Sequence, residues 1–237
     1  MLRRSFLGHS LIAGAGFGLL GVTPRAWAQA GRPGAPATNP LAVPDNAISV
    51  GKLSYTVMRE GSDIGTHVMN VARSGDSVTV DSETNIAVKV MMITAYRFEQ
   101  TAREVWRAGR LVELSATTND DGTKNKLEAA ARDNNLVLNV DGKTATIPAT
   151  VLPASLWNPK LVQQSKLFDT ADGRQLNVSV KFIGEESVTA RKTKIAARHY
   201  SITGDVRREL WYDANWTPVQ AHLLRPKDTT VVAFVLT

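Results

Sequence analysis

Few residues in this chain are of types that do chemistry, and their spacing sorts them quickly. Beyond the N-terminal region there are three histidines, His67, His199 and His222, each alone in the sequence with no second histidine at ligand spacing. A metal site would need them to converge in space with carboxylates such as Asp81 or Glu83. Read locally, they are partly exposed strand residues. Asp81 and Glu83 fall on the same side of a strand, about 6.6 Å apart. That spacing is compatible with glycosidase chemistry, where two carboxylates flank a groove about 5–10 Å apart. It is also common on ordinary surface strands. Asp120-Asp121-Gly122 is first a turn signal. G-x-S-x-G, H-E-x-x-H and P-loop patterns are absent. No catalytic, cofactor or metal residues are assigned.

Two features point to binding instead. In the segment 94–107, Tyr96, Phe98 and Trp106 share one parity with Gln100 and Glu104. This stripe reads either as a cavity wall with a few orienting polar groups or as an ordinary core face with Glu104 at the strand end in water. Trp157-Asn158 reads either as a lid over a pocket mouth or as an anchor and helix cap. Tyr96, Phe98, Trp106, Trp157 and Asn158 are therefore the candidate ligand-binding residues.

The elements that must position them are mostly strands. Period-two alternation runs through Leu53-Ser54-Tyr55-Thr56-Val57, Val78-Thr79-Val80, 94–107, Val178-Ser179-Val180-Lys181-Phe182 and Val231-Val232-Ala233-Phe234-Val235. Such alternation gives each strand one buried and one wet face. Turn signals recur at Glu60-Gly61, Ser74-Gly75-Asp76, Ala108-Gly109, Asp120-Asp121-Gly122, Asp141-Gly142, Asp172-Gly173, Ile183-Gly184 and Thr203-Gly204. Short hairpins make neighbouring strands antiparallel, and no helix of crossover length separates them. In 148–172, Pro148, Pro153 and Pro159 break the rhythm. Asn158-Pro159 is a cap and first-turn pair, and Leu161, Ser165 and Phe168 follow at helical spacing. The expected fold is all-β: a large curled antiparallel meander of about ten strands, a half-barrel or open barrel. One loop-plus-short-helix insert lies around 148–172, with the helix over 159–168, able to plug the concave face.

The N-terminus reads as an export signal. Arg3-Arg4-Ser5-Phe6-Leu7 matches the twin-arginine core, followed by an apolar stretch from Leu11 to Val22 and overlapping A-x-A sites. Cleavage is expected after Ala28 or Ala30, leaving no permanent membrane span, because the apolar stretch is short of the roughly 20 residues a spanning helix needs. The expected location is periplasmic or secreted, with the twin-arginine translocase as a partner during export. Residues 31–47 hold four prolines and read as a flexible leader. The folded domain is then 48–237.

Composition narrows the function further. The chain has 28 Lys+Arg against 22 Asp+Glu. Arg3, Arg4 and Arg25 lie in the signal, so the balance after cleavage is 25 to 22. That leaves no nucleic-acid footprint. The basic stretch Arg191, Lys192, Lys194 and Arg198 reads as a solvated face or a contact for anionic head groups. With no cysteine there are no disulfides, thiolate metal sites or thiol chemistry.

Several stretches resemble a known family: Ser54-Tyr55-Thr56-Val57 with Gly65-Thr66-His67; Glu104-Val105-Trp106 with Gly109-Arg110-Leu111-Val112; Thr118-Asn119-Asp120-Asp121-Gly122; Leu152-Pro153-Ala154-Ser155-Leu156-Trp157-Asn158; and Leu210-Trp211-Tyr212-Asp213. The chain resembles an exported bacterial family defined as a domain of unknown function (DUF 6134). The resemblance implies an all-β exported domain, similar in architecture to the curved sheets of lipoprotein-localisation factors, which hold acyl chains in their concavity. It supplies no catalytic residues. The reading that results is a non-enzymatic binding or carrier domain for an apolar or lipid-like small molecule. An envelope protein–protein interaction module, and a hydrolase of envelope glycans or esters, stay open beside it.

Overall fold

The structure, a computed structural model, describes residues 39, 41–91, 93–224 and 230–237. The export signal and most of the leader lie outside the described residues.

The alternating segments pair as consecutive hairpins. The first meander comprises β1 (Gly51–Arg59), β2 (Ser62–Ser74), β3 (Ser77–Val90), β4 (Ile93–Arg107), β5 (Arg110–Asp120), β6 (Thr123–Arg132), β7 (Asn135–Val140) and β8 (Lys143–Pro148). An insert follows, with β9 (Leu152–Pro153), a 3₁₀ helix (Pro159–Gln163) and β10 (Lys166–Phe168). The second meander comprises β11 (Gln175–Ala190), β12 (Thr193–Gly204), β13 (Arg207–Tyr212), β14 (Pro218–Leu224) and β15 (Val231–Leu236). All fifteen join one sheet in the order β8-β7-β6-β5-β4-β3-β2-β1-β15-β14-β13-β12-β11-β10-β9. The meanders meet where β1 pairs antiparallel with β15, Tyr55 opposite Leu236 and Val57 opposite Phe234. The sheet curls without closing, as accumulated right-handed twist requires of so many strands. The insert bridges its two arms: Glu104 of β4 accepts from Ser155, and Arg208 of β13 donates to the Ala154 carbonyl at 2.7 Å.

Alternation works as the sequence indicates. In β5, Leu114, Ala116 and Thr118 are buried, while Glu113, Ser115 and Thr117 are exposed. Inward residues of both meanders merge in one hydrophobic core with the insert's Leu161, Leu167 and Phe168. At Gly65 the strands approach so closely that a Cβ would lie 1.9 Å from the Asn85 carbonyl oxygen, so only glycine permits the β2–β3 pairing there.

Four expectations are corrected. Among the described residues there are fifteen strands rather than about ten, counting the short edge pieces. The helix expected over 159–168 is a single 3₁₀ turn ending at Gln163. Lys166–Phe168 instead pairs antiparallel with β11 and parallel with β9, burying Leu167 and Phe168 completely. Completing two edge ladders outweighs one further helical turn. Ile183-Gly184 is not a hairpin turn but a register shift inside β11, whereas Arg191-Lys192, without glycine, makes the β11–β12 turn with both residues at positive φ. Finally, the end of the leader is docked. Val43 and Ala47 are buried, Lys160 pairs with Asp45 at 2.7 Å, and Gln163 donates to the Leu41 carbonyl at 2.7 Å.

Candidate functional site

Between the two meanders the concave face leaves a cavity of about 560 Å³. Ile86, Val88 and Phe98 of β3 and β4 form one wall. Leu223, Val232 and Phe234 of β14 and β15 form the other. The insert closes one end with Ser155, Leu156 and Trp157.

Polar groups enter this apolar space at separate points. The most buried is Glu104, 3% exposed. Trp106 Nε1 and Trp157 Nε1 donate to its Oε2 at 2.8 and 3.0 Å, and Ser155 Oγ donates to Oε1. The two indoles meet edge-on, 5.4 Å between centroids at 82°. Burial pushes the Glu104 carboxyl above its ordinary value, and the three donors pull it part of the way back.

Further along the cavity, one row of paired residues crosses four strands in register. His67 of β2 lies opposite Thr84 of β3, Thr84 opposite Gln100 of β4, and Gln100 opposite Thr118 of β5. His67 Nδ1 and Thr84 Oγ1 are 2.7 Å apart, and Gln100 Nε2 donates to Thr118 Oγ1 at 3.0 Å. Burial lowers the His67 pKa to about 4, so the ring is neutral at neutral pH. Its Nε2, also buried, has no hydrogen-bond partner.

Cations also line the cavity. Arg59 lines the cavity with its buried Nε unpartnered. Arg208 is half-buried; its desolvation pushes its pKa down, and Asp169 opposes that shift.

The sequence-derived candidates fall in three places. Tyr96, Phe98 and Trp157 line the cavity, and Tyr96 Oη donates to Asp120 Oδ1 at 2.6 Å. Trp106 shares their parity but is 2% exposed and lies in the core behind Glu104, not on the cavity surface. Asn158 caps the 3₁₀ helix, its Oδ1 accepting from Lys160 N at 3.0 Å, and does not face the cavity. Glu104 is not a strand end in water, because the insert covers it. The sequence names His67 only as a metal or hydrolase candidate and does not bring out Thr84, since which strands pair, and in which register, is invisible in a linear pattern. The available signal was parity along each strand, His67 with Met69 and Val71, and Thr84 with Val80.

His199 and His222, expected to stand alone, meet on the convex face. His199 lies 2.9 Å from Glu186 and 2.7 Å from Glu209 and stacks on Trp211 at 4.3 Å, whose other side meets His222 edge-on at 4.6 Å. Among the described residues no group of three or more His, Asp or Glu is arranged to hold a metal ion. Asp81 accepts two bonds from Arg103 Nη1 at 2.7 and 2.9 Å, and Glu83 accepts from Asn85. Both carboxylates are absent from this cavity's lining and lie together in a separate hollow of about 330 Å³.

Together these features define an all-β domain in which one curled antiparallel sheet wraps an open, largely apolar concavity. The model of the family described as "Domain of unknown function (DUF6134)" matches residues 55–232, and the chain belongs to that family. Among solved structures, it is similar to a β-barrel-like protein of the domain of unknown function DUF1849 from Brucella abortus. The TM-score is 0.59 at 12% identity, covering 80% of this chain and 97% of that one, which shows the shared fold alone. A protein of YmcC-like fold from Bacteroides fragilis matches at 11% identity over 80% of this chain and 95% of that one, and its TM-score of 0.30 carries no argument. No curated protein matches the chain.

Proposed function

We propose that the domain is a non-enzymatic carrier for an apolar or lipid-like small molecule. On this reading the twin-arginine signal delivers it outside the cytoplasm, and cleavage follows Ala28 or Ala30. The observation that carries the reading is the open cavity of about 560 Å³ between Phe98 and Phe234. A cavity of that size falls in the range of small-molecule sites, about 300–1,000 Å³. Affinity would come from removing apolar ligand surface from water, worth about 25 cal/mol per Å² before the costs of association.

The placement of the titratable groups supports binding over hydrolysis. His67 and Glu104 lie two strands and four residues apart on the concave face, about 16 Å by strand geometry. That is too far for an acid–base pair acting on one bond. Glu104 spends its oxygens on three protein donors.

The test is native mass spectrometry of the mature protein purified without detergent, with uptake of the neutral probe N-phenyl-1-naphthylamine. The expected result is a stoichiometric apolar adduct or, after extraction, saturation at one probe per chain. A protein free of adduct that also takes up no probe overturns the proposal.

A further inference from the structure

The convex cluster around His199 is closed on itself: its ring nitrogens face Glu186 and Glu209, and His222 Nε2 lies 2.7 Å from the Gln220 amide. The cavity holds the opposite case. His67 lines the cavity, and its buried Nε2 has no hydrogen-bond partner. Its neighbours offer none. Tyr55, whose ring lies 5.6 Å away, donates its hydroxyl to the Pro218 carbonyl at 2.6 Å. Phe234 meets the imidazole edge-on at 5.5 Å and carries no polar atom. Leaving a polar atom buried and unmatched forfeits its hydration with nothing in return. His67 is 8% exposed, so solvent does not take the partner's place.

The chemistry of the missing partner follows from the row. Thr84 and Thr118 are hydroxyls, Gln100 is an amide, and the imidazole is uncharged, so no member of the row carries a charge. A carboxylate or phosphate brought against this row would lose its hydration without meeting a cation within the row. The neutral imidazole has one donor and one acceptor, and Thr84 Oγ1 can serve Nδ1 in either role. Nε2 therefore presents either an N–H or a lone pair. A carbonyl answers only the first; a hydroxyl answers both.

Resting on the carrier reading above, we propose that His67 Nε2 is a ligand-binding atom that hydrogen-bonds the uncharged hydroxyl of an otherwise apolar molecule. The cavity thereby selects alcohols of lipid-like chain over the matching hydrocarbon or carboxylate. Thr84 fixes the ring, and the walls of Ile86, Phe98 and Phe234 hold the chain.

The experiment is competition of 1-decanol, decane and decanoate against N-phenyl-1-naphthylamine on the purified full-length mature protein at pH 8. Decanol is expected to bind about tenfold or more tighter than either competitor. In His67→Phe the preference over decane is expected to vanish while decane binding persists. Wild-type protein also gives a direct reading: the His67 Nε2 ¹⁵N resonance should move on adding decanol and stay with decane, which keeps the test open if His67→Phe does not fold. Equal binding of decanol and decane, or a preference that survives in His67→Phe, overturns the assignment and leaves the carrier standing. Tightest binding by decanoate overturns it in favour of a charged head group at the arginines that line the cavity. No binding of any of the three overturns both.

Discussion

Over β5 to β8 the concave face is roofed; over the part of β3 and β4 that carries Ile86, Val88 and Phe98 it is open. The strands are alike, with alternating residues and the same inward parity. At the roofed end Leu127, Leu136, Leu138 and Ile147 are at most 2% exposed. The chain leaving the insert presses on them so closely that a Cβ at Gly173 would come within 2.7 Å of Val140 Cγ2. At the open end Ile86, Val88 and Phe98 are only half-buried and line the cavity. The sheet therefore does not decide between core and cavity. The reach of the insert does, and it stops at Ser155 and Trp157. Glu104 and His67 follow the same division. Glu104, under the insert's edge, has three donors; His67, beyond it, has one partner for two nitrogens.

The largest expected effect tests the roofed end. Replacing Glu104 by Leu strands two indole N–H groups and the Ser155 hydroxyl in the core and is expected to cost about 4 kcal/mol in urea unfolding. Glu104→Gln keeps an acceptor for both indoles, and its amide can donate to Ser155, so it is expected to cost less than about 1 kcal/mol. Equal costs for the two would mean that the carboxyl does not tie the insert down, and the division would lose its cause.

Much of this was legible beforehand. Alternation and glycine turns specify a curled antiparallel meander, and the parity of 94–107 aims Tyr96, Phe98 and Glu104 the same way. Three things were not legible. Hairpins such as Arg191-Lys192 reach positive φ without glycine, so they carry no turn signature. The burial of Glu104 depends on Ser155 and Trp157, more than fifty positions away, and no local pattern encodes that. The row from His67 to Thr118 exists only once three strand registers are fixed, and a slip of one residue in any of them would break it.

The second prediction sharpens the comparison through pH. The folded His67 pKa is depressed to about 4 from 6.5. The stability it contributes is therefore present above pH 6.5 and is lost as pH falls toward 4, because only the unfolded chain binds the proton over that interval. Between pH 6.5 and 5 the loss is about 2 kcal/mol. Glu104 has the opposite sign. Its raised pKa gives a contribution complete below pH 4.5 that fades as pH rises through the folded value. Wild type and His67→Phe share the Glu104 term, so the difference between their stability–pH curves isolates His67. A difference that stays flat from pH 6.5 to 5 would show the ring open to water.

The smallest effect is the most direct comparison of the two ends. Ala102 of β4 lines the cavity, whereas Ala129 of β6 is 4% exposed in the roofed core. Both point inward from neighbouring stretches of the same sheet, and the substitution to Leu adds the same three carbons to each. In a close-packed core those atoms displace neighbours, and Ala129→Leu is expected to cost about 1–2 kcal/mol. At Ala102 the added atoms enter open volume and cover apolar surface, so unfolding should shift by less than about 0.5 kcal/mol in either direction. The same substitution should weaken uptake of N-phenyl-1-naphthylamine, because it fills space the probe would use, while Ala129→Leu should leave uptake unchanged. If Ala102→Leu proves as costly as Ala129→Leu, the open end is packed in solution, and the contrast between core and cavity disappears.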